Sequence, residues 1–107
     1  MASNLILSVA DRILLGSILP QTGGKVKMIL TRSIAAKVEF TPEEISSFEL
    51  KDDANGFVRW NPAKDRNFHV KFTPEEVAVL KAAADDADRR QVITRQMLPL
   101  IEQIESL

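Results

Sequence analysis

The 107-residue chain has no cysteine, which excludes disulfides, thiolate nucleophiles and cysteine-based zinc sites and suits a reducing cytoplasm. It has one histidine, His69. Ser/His/Asp catalysis would therefore have to be assembled from scattered residues with nothing to mark the nucleophile. No nucleophile elbow, phosphate-binding glycine loop or zincin motif occurs. An excess of charge is also missing. A formal net charge of −1 gives no bulk attraction to nucleic acid or to an anionic membrane. Long apolar runs are lacking as well: Asn4-Leu5-Ile6-Leu7 is apolar, but no basic residue precedes it, and Asp11 and Arg12 interrupt the stretch. Neither a signal peptide nor a membrane span is expected, and the expected location is the cytoplasm. Aromatic residues are few, five Phe and one Trp with no Tyr. Trp60 is accordingly read as a core anchor, with an exposed contact surface as the alternative.

Present instead is the balance of a folded protein, 45% apolar and 27% charged residues, long enough for a single domain over 1–107. Charge runs in blocks: positive to Phe40, negative through Gly56, positive to Phe72, negative through Asp88 and slightly positive beyond. A dipolar surface is expected rather than a basic face. One motif occurs twice, as Phe40-Thr41-Pro42-Glu43-Glu44-Ile45 and Phe72-Thr73-Pro74-Glu75-Glu76-Val77. Each copy is a complete helix start, with Thr as the cap, Pro preset for the first helical position and the second Glu reaching back to the cap N–H. Phe40 with Ile45, and Phe72 with Val77, stand where a hydrophobic staple would. The flanks of the two copies do not align, so a solenoid is rejected.

Taken in order, Ser8 caps a helix over about 9–18, which Pro20 and Gly23-Gly24 end. Lys25 to Val38 carries both four-residue and two-residue periodicity, and Ala35 and Ala36 favour helix. The first box starts a short helix over about 42–47. Phe48 to Lys51, Phe57 to Trp60 and Phe68 to Phe72 then read as strands, the first two joined by an Asn55-Gly56 turn. The second box opens a longer helix in which Val77, Leu80, Ala84 and Ala87 share a face. Thr94 is expected to cap a last helix stapled by Ile93 and Leu98, although Pro99 would then fall inside it. The expected fold is α+β: a three-stranded antiparallel meander over 48–72, with helices before it (8–47) and after it (74–107).

Each candidate for chemistry has a plainer reading. Glu43, Glu44, Glu75 and Glu76 are explained by capping and the helix dipole without a catalytic or metal role. Asp85, Asp86 and Asp88 lack the Gly and closing Glu of a calcium loop. His69 falls on the wet face of its strand. No catalytic residue, metal ligand or cofactor is assigned, and the chain is read as a non-enzyme. In the last segment Met97, Leu98, Leu100, Ile101, Ile104 and Leu107 cover about half of an ideal helix at about 100° per residue. So wide an apolar face suggests docking to a partner or a second copy, or else across the chain's own sheet and first helix. Arg59, Trp60, Lys64 and Arg66 form a second candidate contact group.

The order Ser8-Val9-Ala10-Asp11-Arg12, Ile18-Leu19-Pro20, Phe40-Thr41-Pro42-Glu43-Glu44-Ile45 with Phe48-Glu49-Leu50, and Val58-Arg59-Trp60-Asn61-Pro62 resembles a group of small bacteriophage- and prophage-encoded proteins without an assigned activity. The resemblance covers most of the chain, implies a helix at Lys25 to Val38, and carries over no catalytic residue; Pro99 departs from its pattern. It implies a phage context and hence a host cytoplasm. The expected function is a non-enzymatic protein-binding module acting as a homo-oligomer on a host or phage protein, with inhibition of a host defence system as one form of it. Two alternatives stand beside it: a winged-helix-like nucleic-acid-binding regulator, and an oligomer that sequesters a small anionic ligand. Acids at the start of the third helix, Glu43 and Glu44, weigh against the first of these.

Overall fold

The computed structural model describes residues 3–52 and 58–107. Strand β1 (Ser3–Leu7) leads into helices α1 (Val9–Ile18), α2 (Lys25–Val38) and α3 (Pro42–Phe48). Two-residue strands β2 (Lys51–Asp52) and β3 (Val58–Arg59), a 3₁₀ turn at Pro62–Lys64, strand β4 (Phe68–Phe72), helix α4 (Pro74–Arg89) and helix α5 (Leu98–Glu105) complete the order. Mixed helix and strand is thus observed, but not a three-stranded meander. The sheets are two separate antiparallel pairs, β1 with β4 and β2 with β3.

The missing piece of the expected sheet is β1. Leu5 and Leu7 face inward and lie opposite Val70 and Phe68, while Asn4 and Ile6 face out opposite Lys71 and His69. His69 is solvent-facing, as its alternation with Phe68, Val70 and Phe72 requires. Phe48, read as the start of a strand, instead ends α3 and is buried. Glu49 comes next with φ 57°, a left-handed residue that turns the chain, and among the described residues that follow Lys51 and Asp52 form β2. The Asn55-Gly56 turn and Phe57 lie outside the described residues. After β3, Asn61 accepts a hydrogen bond from the Ala63 N–H and opens the 3₁₀ turn, which carries the chain away before β4 begins. The five-residue partner that β4 needs is then supplied from the amino end. Both outer edges of the β1–β4 ribbon carry a side-chain block. The Gln103 carboxamide bonds the N–H and C=O of Ile6, and the Lys37 ammonium bonds the Lys71 carbonyl.

One core lies on the inner face of this ribbon, built from Leu5, Leu7, Leu15, Ile34, Phe72, Leu80, Leu100, Ile101 and Ile104 with smaller neighbours. Helix α4 packs against both α2 and α5. Its expected face is observed with Leu80, Ala84 and Ala87 buried and Val77 partly so, and Val79, Ala83 and Glu76 join it. The end of the chain differs from expectation. Thr94 accepts from the Met97 N–H and closes a turn, and α5 starts at Leu98 without a side-chain cap. Pro99 explains this: in the first turn its missing N–H is harmless, whereas three residues deeper it would break the helix. Leu98 stays exposed, so no staple joins it to Ile93.

The three remaining caps form as expected. Ser8, Thr41 and Thr73 each accept from the N–H three residues on, and Asp11, Glu44 and Glu76 each accept from the cap N–H. The glutamates do more than cap. Glu44 takes two hydrogen bonds from Arg12 of α1, at 2.7 and 3.1 Å. The same guanidinium donates to the carbonyls of Val38 and Glu39 and lies 4.1 Å from the Phe40 ring centre and 4.6 Å from that of Phe68. Arg12 is 5% exposed. A buried cation of this kind is tolerated only when its donors and its charge are answered, and here both are. The hydrogen bonds from Arg12 hold the Glu44 carboxyl down at about 2, against the opposing effect of burial. At Glu76 burial is the largest single influence and favours the neutral acid, yet Lys37, the Thr73 amide and the Ser33 hydroxyl together outweigh it and keep the group below the usual carboxylate range.

Candidate protein-docking groove

Helices α1 and α2 are joined by a short loop and lie side by side without closing fully. Between them runs an open cavity of about 500 Å³, lined chiefly by Ile13, Gly16, Leu19, Met28, Ala35 and Phe40. Gly16 is one of its lining residues. It sits inside α1, where glycine is about 1 kcal/mol worse than alanine, and a Cβ built on it would meet nothing within 4 Å. Neither a turn nor close packing within the chain requires this glycine. Arg32 of α2 stands at the same cavity.

A second recess of about 350 Å³ continues from the first, since Ile13 and Phe40 line both. Ile45 of α3, Leu50 and Val58 of β3 supply the rest of its apolar wall, with Lys51 and Asp52 beside them. Ile45 is 45% exposed and Val58 37%. Phe40 turns over Arg12 and meets Phe48 edge-on at 6.4 Å. Ile45 is left on the surface. The result is one apolar band running from α2 across α1 to α3 and β3. Its electrostatics are quiet at the centre, because Arg12 beneath it is neutralised by Glu44 at any pH well above 2. The arrangement offers shape and apolar area rather than a nucleophile or an ion site. Among the described residues no group of three or more His, Asp or Glu could hold a metal ion.

The residues singled out from sequence fall elsewhere. Met97, Leu100, Ile101 and Ile104 are buried in the chain's own core, Leu107 packs against it, and only Leu98 remains exposed. The last helix thus packs on α4 and β1, and most of its apolar face is covered within the chain. Trp60 is partly buried and outside the main core, lining a shallow 410 Å³ recess with Arg59, Glu49 and Asp52. Lys64 and Arg66 do not line that recess; Lys64 is exposed, and the Arg66 guanidinium lies over Phe68 at 4.9 Å. The four do not converge on one anion site. A larger cavity, about 810 Å³ beside Lys27, Arg89 and Arg90, is mixed in charge, with both arginines 3.5–3.8 Å from Asp85 or Asp86. Sequence reasoning missed Gly16, Ile45 and Val58 as a group. The one legible signal was Gly16, a glycine inside a helix that the periodicity otherwise supports.

No helix among the described residues is long and apolar enough to cross a membrane. Comparison with protein-family models, curated proteins and solved structures gives no match to this chain.

Proposed function

We propose that the protein is a non-enzymatic protein-binding module whose docking surface is the band from the α1–α2 groove to Ile45 and Val58. The observation that carries this reading is Gly16: an open groove floor kept by a helix-destabilising residue that the chain's own packing does not need. Exposed large apolar side chains collect at the other end of the same band, which is the composition of an interface centre rather than of ordinary surface. The capping glutamates Glu44 and Glu76 are committed to Arg12 and Lys37. In the phage setting implied by the resemblance, the bound protein would be of host or phage origin.

The test separates folding from binding at one residue. Gly16→Ala should raise the unfolding free energy by about 1 kcal/mol, and Gly16→Leu should remain folded while filling the groove. A photoreactive benzoylphenylalanine placed at position 45 in producing cells should give protein adducts that disappear in the Gly16→Leu chain. Absence of adducts from position 45, with the chain folded, would overturn the reading.

A further inference from the structure

The cavity of about 810 Å³ beside Lys27, Arg89 and Arg90 stands apart from the docking band, since neither Gly16 nor Ile45 nor Val58 lines it. We propose that it binds a small organic phosphate, a dianionic head on an apolar body, independently of the protein-binding reading. Its size is that of a small-molecule site, about 300–1,000 Å³. Leu19, Ala83, Ala87 and Met97 give it a buried apolar floor. Val92 lines it too and is 48% exposed, an apolar side chain left half in water that the body of a ligand would cover.

Three cations line the cavity against one acid, Asp86, and Asp85 meets Arg89 from outside the lining. Lys27 is the least answered of the three. No acid among the described residues pairs with it, and its stem lies so close over the α1–α2 loop that a Cβ added at Gly23 would come within 2.9 Å of its Cδ. Glycine at this position lets the Lys27 side chain lie back along the loop. Arg89 and Arg90 reach Asp85 or Asp86 only at 3.5–3.8 Å, from side chains 71% and 69% exposed. Pairs that long and that wet contribute little, so both guanidiniums are available to a better acceptor. Neighbouring planar forks suit the paired oxygens of a phosphate, and Lys27 adds a point charge. A dianion matches the positive excess of the lining, which a lone carboxylate would answer only in part.

The experiment is a heteronuclear NMR titration of the full chain with naphthyl phosphate at low salt and mildly alkaline pH, where a phosphate monoester is dianionic. Saturable shifts are expected at the amides of Thr22, Lys27, Ala83, Ala87 and Val92. Inorganic phosphate, which lacks the apolar body, and naphthol, which lacks the charge, should each bind at least about tenfold more weakly. Naphthoate, with a single charge, should fall between. Lys27→Ala and Arg90→Ala should each weaken naphthyl phosphate about fivefold, and Asp86→Asn should tighten it, because the competing carboxylate is gone. Gly23→Ala should weaken it nearly as much as Lys27→Ala and add nothing in the double variant, since both act through one ammonium. The substituted side chains are exposed, and circular dichroism melts establish that each variant is folded. Shifts that spread over the surface without saturating overturn the site, as does affinity indifferent to both Lys27→Ala and Asp86→Asn. Inorganic phosphate or naphthol binding as tightly as naphthyl phosphate overturns the ligand class. Adducts from position 45 test the docking band separately, so either reading can fail alone.

Discussion

The two copies of Phe-Thr-Pro-Glu-Glu begin the same way and end in different physics. In each, a cation from an earlier helix lies over the box Phe and pairs with the second Glu: Arg12 over Phe40 with Glu44, and Lys37 over Phe72 with Glu76. At the second box the surroundings do most of the holding. Phe72 and Glu76 are each 1% exposed, and the helix they start runs 16 residues through the core. Helix α3 has only seven residues, buries Phe48 alone and leaves Ile45 in water. Seven residues are too few to be stable by themselves. The amino end of the first box is therefore held chiefly by Arg12, which ties α3, the α2 carboxyl end and two Phe rings together. The same motif can be a core element or a strap across the surface, and the packing around the helix it starts decides which.

The largest effect should come from removing that cation. Arg12→Ala leaves Glu44 and the carbonyls of Val38 and Glu39 without their donor, and should lower stability by about 3–5 kcal/mol. Lys37→Ala removes a partner whose side chain is 34% exposed, from a glutamate still bonded by the Thr73 amide and Ser33. Its expected loss is smaller, about 1–3 kcal/mol. Urea unfolding of both variants measures the difference. If Lys37→Ala is as damaging as Arg12→Ala, the contrast between the boxes is wrong.

Acid should expose the same contrast. A carboxyl whose folded-state value lies below its unfolded value contributes stability above the unfolded value, and that contribution is lost as pH falls toward the folded one. For Glu44 the window runs from about 4.5 down to about 2 and is worth on the order of 3 kcal/mol. Glu76 acts in the same direction, with burial opposing the shift. Glu44→Gln should therefore be less stable than the natural chain at neutral pH and show a flatter loss between pH 4.5 and 2. Chemical unfolding at several pH values checks it, and parallel curves for the two proteins would refute the assignment.

The caps themselves should matter less and more equally. Thr41→Ala and Thr73→Ala each remove one side-chain acceptor, from the N–H of Glu44 and of Glu76, at 3.1 and 3.2 Å. Each should cost about 1 kcal/mol in a thermal or urea melt. No change at either site would mean that the tertiary ties, not the local box, start these helices.

How much of the fold is legible in the sequence depends on the distance over which each feature is decided. A capping box is settled within four residues, so Ser8, Thr41 and Thr73 can be named from sequence, as can α2 from the alanines and four-residue spacing around Ile34. The β1–β4 ribbon joins Ser3 to Phe72, and nothing local to Phe68-His69-Val70 says that its partner lies at the far end of the chain rather than in the nearer Val58-Arg59. Nothing local marks Arg12 as buried, because its answering groups, Glu44 and the Val38 and Glu39 carbonyls, are reached only after α2 has folded back. The last helix looks like an interface in sequence because α5 borrows its cover from α4 and β1, elements whose positions depend on that same distant pairing. Gly16 is visible as an oddity within its helix, but the groove it opens exists only once α1 and α2 are packed.

The smallest expected effect distinguishes how α3 and α4 stop. Both helices are succeeded by a non-glycine residue at φ 57°, Glu49 and Gln91, and in both the next N–H bonds back across the last turn, Leu50 to Ile45 and Val92 to Ala87. Left-handed backbone disfavours any side chain but glycine's by about 1 kcal/mol. At Gln91, an exposed position, Gly should recover most of that and raise the melting temperature. Glu49 differs because its carboxylate accepts from the Asn61 amide at 2.6 Å, while the Phe48 carbonyl accepts from the Asn61 N–H. Its side chain thus clips the end of α3 to the chain after β3. Glu49→Gly should relieve the same backbone strain but lose a bond worth about 1 kcal/mol, for a net change near zero. Equal stabilisation at both positions would show that the Glu49 clip contributes nothing, and that the short helix is held at its amino end alone, by Arg12 and the box.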